Sequence, residues 1–368
     1  MTEMSQKAGN NSTNIGVGGS LVIQNGISEQ RVREIFDEKT GCAIAQFSSE
    51  AKKIASERIN NFVKCLIPRM AETGSLNAFI DPDFQLLLIE AQKGAASTER
   101  EPDIKLLTEL LVHRFAKQND RSARIGISKA VNIVHQIPDK ALLGLTVFYA
   151  VSQFIPKTGD IEEGLNILDD LFNRIIYDTL PEGTDWLDDL DVLDAIRIGR
   201  FRNLKKFEEF YPDKLPGYTC EGILENSEQH NEIIKILQDN KIDPNGFVVK
   251  HILSENHLRL NIINKEAIKG LTLKFSVISN GNIQKTSQKL SDQQKQAVAL
   301  IAEQYMKIDV PFQENRTAFM KLLDERPSLK KVKEWWNKIG ASFNTTSVGR
   351  VLAHANAQRC DNTLPPLD

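Results

Sequence analysis

Apolar residues recur every three or four positions along most of the chain after residue 28. This spacing places them on one face of an α-helix. Ser28 is a suitable N-cap for the first helix, and Asp81-Pro82 supplies a cap followed by proline for a later one. Residues 142–151 are apolar on nearly every side, which predicts the most buried helix of the chain. We therefore predict a mainly α fold with a multi-helix body.

Residues 9–27 follow a different pattern. Apolar and polar residues alternate on both sides of Gly18-Gly19, and a two-glycine break between alternating segments is typical of a β-hairpin. An isolated two-stranded hairpin is only marginally stable in water, and uncharged strands rich in asparagine, glycine and threonine can pair with copies of themselves. We therefore predict a short N-terminal β-hairpin-like element for homo-oligomerisation. Its contact residues are predicted to be Asn14, Ile15, Val17, Leu21, Val22 and Ile23.

Changes in pattern divide the chain into four predicted regions. They are a flexible N-terminus with the self-association element (1–27), an N-terminal helical domain (28–180), a mixed helix and loop region (181–285), and a C-terminal helical domain (286–368). Residues 271–278 alternate as a strand does, and Asn280-Gly281 is a turn signal. Two interpretations of residues 241–285 stay open: further helix and loop, or a small β insertion.

Composition narrows the function classes. The 368 residues carry a net charge of -3 and 41% apolar residues, so the dominant basic field of a non-specific nucleic-acid binder is absent from the sequence. Four dispersed cysteines form no CxxC pair, and the N-terminus has no apolar signal region. No apolar run is long enough to cross a bilayer. These features predict a cytoplasmic protein with reduced thiols and no membrane partner.

Basic and aromatic residues meet near the C-terminal end, where Lys330, Lys331, Lys333 and Lys338 surround Trp335. Such a segment could hold a nucleic-acid backbone and stack a base. Alternatively, tryptophan packs in the core and the lysines form a solvated face. We favour the second interpretation because acidic residues lie close by, so nucleic acid is not the expected partner.

Motifs for catalysis are weak. The glycines near residue 16 lack the phosphate-loop spacing, no serine lies in a GxSxG turn, and the histidines lack metal-ligand spacing. We therefore predict no catalytic residue, cofactor or metal ion, and favour a non-enzymatic protein without excluding an enzyme. The alternative is a metal-dependent hydrolase or nuclease with a site assembled from scattered helices. The acidic segment 185–194 would be the first place to look, although its spacing favours a solvated helix face.

Three stretches carry a resemblance to a family. They are GNNSTNIGVGGSLVIQNGIS at residues 9–28, DPDFQ with EAQK at residues 81–93, and TSVG at residue 346 with its helix to LPPL at residue 367. Together they resemble an uncharacterised bacterial family in which a short β segment precedes a helical body, of the kind seen among bacterial immune and conflict proteins. The resemblance implies a homo-oligomerising scaffold or sensor in anti-phage defence, whose partners are itself and an unknown protein. It supplies no catalytic residues.

Overall fold

The computed structural model describes residues 27–117, 120–199, 204–279, 282–306 and 312–367, with the backbone alone for residues 273–279 and 282–286. The predicted oligomerisation residues Asn14, Ile15, Val17, Leu21, Val22 and Ile23 lie outside these ranges. The β-hairpin therefore stays a prediction.

Helices dominate the described residues, which confirms the predicted mainly α fold. Fifteen α-helices occur in these ranges: α1 (Glu29–Ile44), α2 (Ser49–Glu72), α3 (Pro82–Ser97), α4 (Glu101–Ala116), α5 (Arg121–Ile133), α6 (Asp139–Gln153), α7 (Ile161–Ile175), α8 (Asp185–Val192), α9 (Phe207–Lys214), α10 (Pro216–Thr219), α11 (Glu228–Asp239), α12 (Asp292–Tyr305), α13 (Gln313–Asp324), α14 (Pro327–Trp336) and α15 (Ser347–Cys360). Three short 3-10 helices span Leu76–Ile80, Val134–Gln136 and Glu266–Gly270.

Seven short strands occur in the same ranges: β1 (Ile196–Ile198), β2 (Ile223–Leu224), β3 (Val248–Lys250), β4 (His257–Leu260), β5 (Thr272–Ser279), β6 (Asn282–Lys289) and β7 (Phe343–Thr345). They form three antiparallel sheets, in the orders β1-β7, β2-β4-β3 and β5-β6. The strand predicted over residues 271–278 is present as β5. Of the two interpretations of residues 241–285, the small β insertion is therefore confirmed.

The predicted helix starts at Ser28 and Asp81 are also confirmed. The Ser28 hydroxyl accepts a hydrogen bond from the backbone N–H of Arg31 at 3.2 Å. The Asp81 carboxylate accepts one from Asp83 N–H at 3.0 Å, and Pro82 is the first residue of α3. Both caps satisfy an N–H group that has no partner inside the helix.

The centre of the core is formed by α6 and α15, which pack against each other, and α15 also packs against α4 and α5. Every residue from Leu142 to Val151 is buried, as the sequence predicted. Small residues let α15 come close to its neighbours. At Gly349 a Cβ atom would lie 2.0 Å from the Ala195 carbonyl oxygen, so the contact with this segment requires glycine.

Buried apolar residues fall into two clusters. The first joins helices before residue 180 to helices after residue 312, so both ends of the described chain contribute to one core. The second lies within residues 223–306, which we call the inserted unit, and includes Ile233, Leu260 and Val298. The predicted domain boundaries at residues 27, 180 and 285 stay predictions.

An aromatic stack fixes α14 against the body. The Trp336 ring is 1% exposed and lies between Phe148, at 4.9 Å and 5° between planes, and Phe210, at 5.0 Å and 19°. Its indole N–H donates to the Lys205 carbonyl oxygen at 2.9 Å. One side chain thereby joins α6, α9 and the segment preceding α9.

Candidate functional site

The basic and aromatic segment is only partly assembled into a surface. Lys331, Lys338 and Trp335 line a depression of about 400 Å³ beside Trp186, whereas Lys330 lies outside it and Lys333 pairs with Asp324. The Trp335 ring is 6% exposed, and its indole N–H donates to the Pro181 carbonyl oxygen at 2.9 Å. Stacking on a base requires an open ring face, which Trp335 does not present.

The acidic segment forms α8 and the turn after it. Trp186, Leu187 and Leu190 are buried, whereas Asp188 and Asp189 are exposed on the opposite side. This is the solvated face that the spacing favoured. Within the ranges that the structure describes, no three histidine, cysteine, aspartate or glutamate side chains are grouped to hold a metal ion.

A cleft of about 880 Å³ lies between the helical body and the inserted unit. Its walls come from α6, α7, the first turns of α5 and α15, residues 263–271 of the inserted unit, and residues 361–367, which we call the C-terminal tail. Much of the lining is apolar, from Phe154, Ile155, Leu168, Leu171, Leu271 and Val351. Ligand sites prefer such junctions between structural units. We take this cleft as the candidate functional site.

His354 connects the wall of the cleft to the C-terminal tail. The Pro365 carbonyl oxygen can only accept, so His354 Nε2 carries the hydrogen and donates to it at 2.9 Å. In the neutral ring Nδ1 then accepts from the Tyr149 hydroxyl, at 3.2 Å. Both ring nitrogens are therefore bonded within the protein.

Gln358 extends this network toward the core. Its amide nitrogen donates to the carbonyl oxygens of Leu364 and Pro365, at 3.1 and 2.9 Å, which leaves its oxygen as an acceptor for His113 Nε2. Burial lowers the pKa of His113 to about 4, because the charged imidazolium would lose its hydration. His113 is therefore neutral at pH 7, and its Nδ1 has no hydrogen-bond partner among the described residues.

An ion pair fixes the start of the C-terminal tail. Arg174 Nε donates to Asp361 at 2.8 Å, and the same carboxylate accepts from the Thr363 N–H and hydroxyl at 3.1 and 2.6 Å. Burial alone would raise the pKa of Asp361, but these hydrogen bonds outweigh it and hold the pKa below its usual value. The tail is thus held at both ends as a wall of the cleft.

A second polar cluster joins the body to the inserted unit. His251 Nε2 and the Asn315 amide nitrogen both bond the Cys220 carbonyl oxygen, at 2.8 and 2.6 Å. Cysteine, histidine and asparagine are the residue types of some cysteine hydrolases, in which the thiolate is the nucleophile. Here the two side chains hold the backbone instead, and burial raises the pKa of the Cys220 thiol to about 11. The cluster is structural.

Sequence reasoning did not find the cleft, because its lining residues come from positions 120 to 367 and no short spacing connects them. The spacing of the histidines gives no signal of a site, and the structure places His113 and His354 in the buried interior. One sequence signal was present. The uncharged tail sequence Leu364-Pro365-Pro366-Leu367 follows the last helix, which is the composition of a segment that can pack against a protein body.

A protein-family model matches residues 26–364, which is well over half of the chain. The chain belongs to this family. The description of the family names no reaction, ligand or partner, and the family is uncharacterised, as the resemblance implied. Most of the predicted self-association segment precedes the matched residues. No curated protein and no solved structure matches the chain. Among the described helices, none combines the length and apolar character needed to cross a membrane.

Proposed function

We propose that this family member is a non-enzymatic, homo-oligomerising cytoplasmic sensor or scaffold in bacterial anti-phage defence. In this proposal residues 9–27 bring copies together, and the cleft receives the signal or partner. The observation that carries the sensing role is the position of the cleft, between the main helical core and the inserted unit. A bound molecule would contact both units and favour one arrangement of them over others.

The polar side chains His354 and Asp361 of the cleft are already hydrogen-bonded within the protein, which favours ligand binding over catalysis. A general base or nucleophile needs a lone pair directed at a substrate. His354 uses both ring nitrogens to hold Tyr149 and the tail, and Asp361 is occupied by Arg174 and Thr363. These groups serve to shape the cleft.

Oligomerisation is supported by the sequence of residues 9–27, which are uncharged and alternate as paired strands do. The cytoplasmic location is supported by the cysteines, because all four lie in described residues and are free thiols. The defence role is supported by the resemblance of residues 9–28 to β segments of immune and conflict proteins.

The test of oligomerisation is the mass in solution. By light scattering after size exclusion, the intact chain should give a multiple of 41.4 kDa, and a version lacking residues 1–27 should give a single chain. A double substitution, Ile15→Ser with Val22→Ser, should lower the mass as the deletion does. The matched control, Asn11→Ser with Asn25→Ser, keeps the apolar residues and should retain the intact mass. Equal masses for the intact and shortened chains would remove the proposed role of this segment.

A further inference from the structure

Some of the charged side chains that line the cleft are paired within the protein, and others are not. Of its six charged side chains, Arg174 and Asp361 pair with each other, and Asp120 caps α5 by accepting from the Ala123 N–H at 3.0 Å. The other three are Lys157, Arg350 and Glu266, which are exposed and form no ion pair with any described residue. The uncommitted side chains thus carry two positive charges and one negative charge.

One helix end adds to this positive field. The first turn of α15 lines the cleft through Ser347, and the N-terminus of a helix carries a partial positive charge, whereas the N-terminus of α5 is already compensated by the Asp120 carboxylate. The C-terminal end of α6 also reaches the cleft and has the opposite sign. Its Ser152 carbonyl oxygen is already bonded by Lys214 Nζ at 3.0 Å, which compensates part of that charge.

The rest of the lining suits an apolar body. Ile155 and Ile167 line the cleft and are 39% and 43% exposed, beside the more buried Leu168 and Leu171. A volume of about 880 Å³ lies within the range of small-molecule sites, which combine an apolar lining with a few polar groups.

We infer that the cleft binds a small amphipathic anion, with its apolar body against Ile155 and Ile167 and its anionic group at Arg350 and Lys157. This inference rests on the proposed function in taking the cleft as the sensing site, and it names the chemical class of the ligand. An anionic group gains from the unpaired Lys157 and Arg350 and from the N-terminus of α15. A cationic head group would be repelled by the same positive groups.

Three probes with one apolar chain and different head groups test this assignment: octanoate, octan-1-ol and octylamine. In calorimetric titrations of the full chain, we expect one octanoate per chain, bound about tenfold more tightly than the other two probes, which is typical of a charge-assisted contact. Octan-1-ol or octylamine binding as tightly as octanoate would overturn the inference.

Charge reversal at the cleft provides a matched comparison. Arg350→Glu should weaken octanoate about tenfold and leave octan-1-ol unchanged. Lys129→Glu makes the same charge change on α5 at an exposed position outside the cleft, and should leave both affinities unchanged. Ile167→Ser removes apolar contact without adding a charge and should weaken all three probes. Equal effects of Arg350→Glu and Lys129→Glu would show that the anion is not held in the cleft.

These outcomes are independent of the mass measurement. If octanoate fails to bind preferentially while removal of residues 1–27 lowers the mass, the ligand class is wrong and the oligomeric role stands. If octanoate binds as expected while the masses are equal, the ligand class stands and the oligomeric role is lost.

Discussion

Acidification from pH 7 to pH 4 is expected to destabilise the fold by about 3 kcal/mol at each of two buried histidines, His113 and His251. Burial lowers the pKa of both to about 4 in the folded chain, whereas an unfolded histidine has a pKa near 6.5. Between these values the unfolded chain binds more protons. Stability is therefore full above pH 6.5 and is lost as the pH falls toward 4.

Two carboxylates also change the stability of the fold at the acidic end of this pH range. The lowered pKa of Asp361 adds a loss in the same direction, since its charged form is favoured in the fold. Asp103 acts in the opposite direction. Burial raises its pKa and outweighs its bonds to Thr98 and Arg100, so the folded chain takes up this proton more readily. The window between pH 6.5 and 5 is consequently the one in which histidine dominates.

Urea unfolding followed by circular dichroism at fixed protein concentration and several pH values measures this profile. His113→Gln should remove about half of the loss, since a glutamine amide can still donate to Gln358 but does not titrate. His135→Gln replaces an exposed histidine and should leave the profile unchanged. A stability that is constant from pH 7 to 4 would contradict the expectation, as would a His113→Gln profile identical to that of the unsubstituted chain.

The helices of this fold were predictable because their cause is local. The three-and-four spacing of apolar residues and the side-chain caps such as Asp81 depend only on residues close in sequence. Residues 142–151 are apolar on nearly every side, which already implied burial. The same reasoning offered β5 as one of two interpretations, because its alternation and turn residues are also local. It could not choose between strand and helix for the other short segments of the inserted unit, because two- to four-residue strands carry too little pattern.

The joining of the two ends of the chain could not be predicted in this way. α15 completes the core formed by α4, α5 and α6, from which it is separated by some two hundred residues. Its alanines and Gly349 are weak signals alone, and their meaning depends on which helices approach them. The same limit applies to the cleft, since the pairing of His354 with Pro365 or of Arg174 with Asp361 exists only after long-range packing.

The two tryptophans show what local sequence can indicate and what depends on long-range packing. Their lysine-rich surroundings suggested two interpretations, a nucleic-acid surface or a packed ring beneath solvated lysines. Sequence alone could not place the partners of the rings, which are the carbonyl oxygens of Pro181 and Lys205, more than one hundred residues earlier. Of the two rings, Trp336 makes more aromatic contacts. We therefore expect its substitution to have a large effect on the free energy of unfolding.

Trp336→Ala should lower the free energy of unfolding by about 3–5 kcal/mol, the usual cost of removing a fully buried aromatic ring. The ring is sandwiched between Phe148 and Phe210, so its removal leaves a cavity that both neighbours border. It also leaves the Lys205 carbonyl oxygen without its hydrogen bond. Trp336→Phe keeps a stacked ring and loses the indole N–H, so it should cost less, about 1–3 kcal/mol.

The order of these values separates ring packing from the hydrogen bond. Urea unfolding should be followed by far-ultraviolet circular dichroism, because tryptophan fluorescence changes with the substitution itself. Lys338→Ala, at an exposed position two residues after α14, should cost less than about 0.5 kcal/mol and controls for a change in this region alone. If Trp336→Ala cost no more than Lys338→Ala, α14 could not be held to the body by this stack. α14 would then have to be anchored mainly by its other contacts, such as those of Trp335 and Leu329, and the aromatic stack would contribute shape without stability.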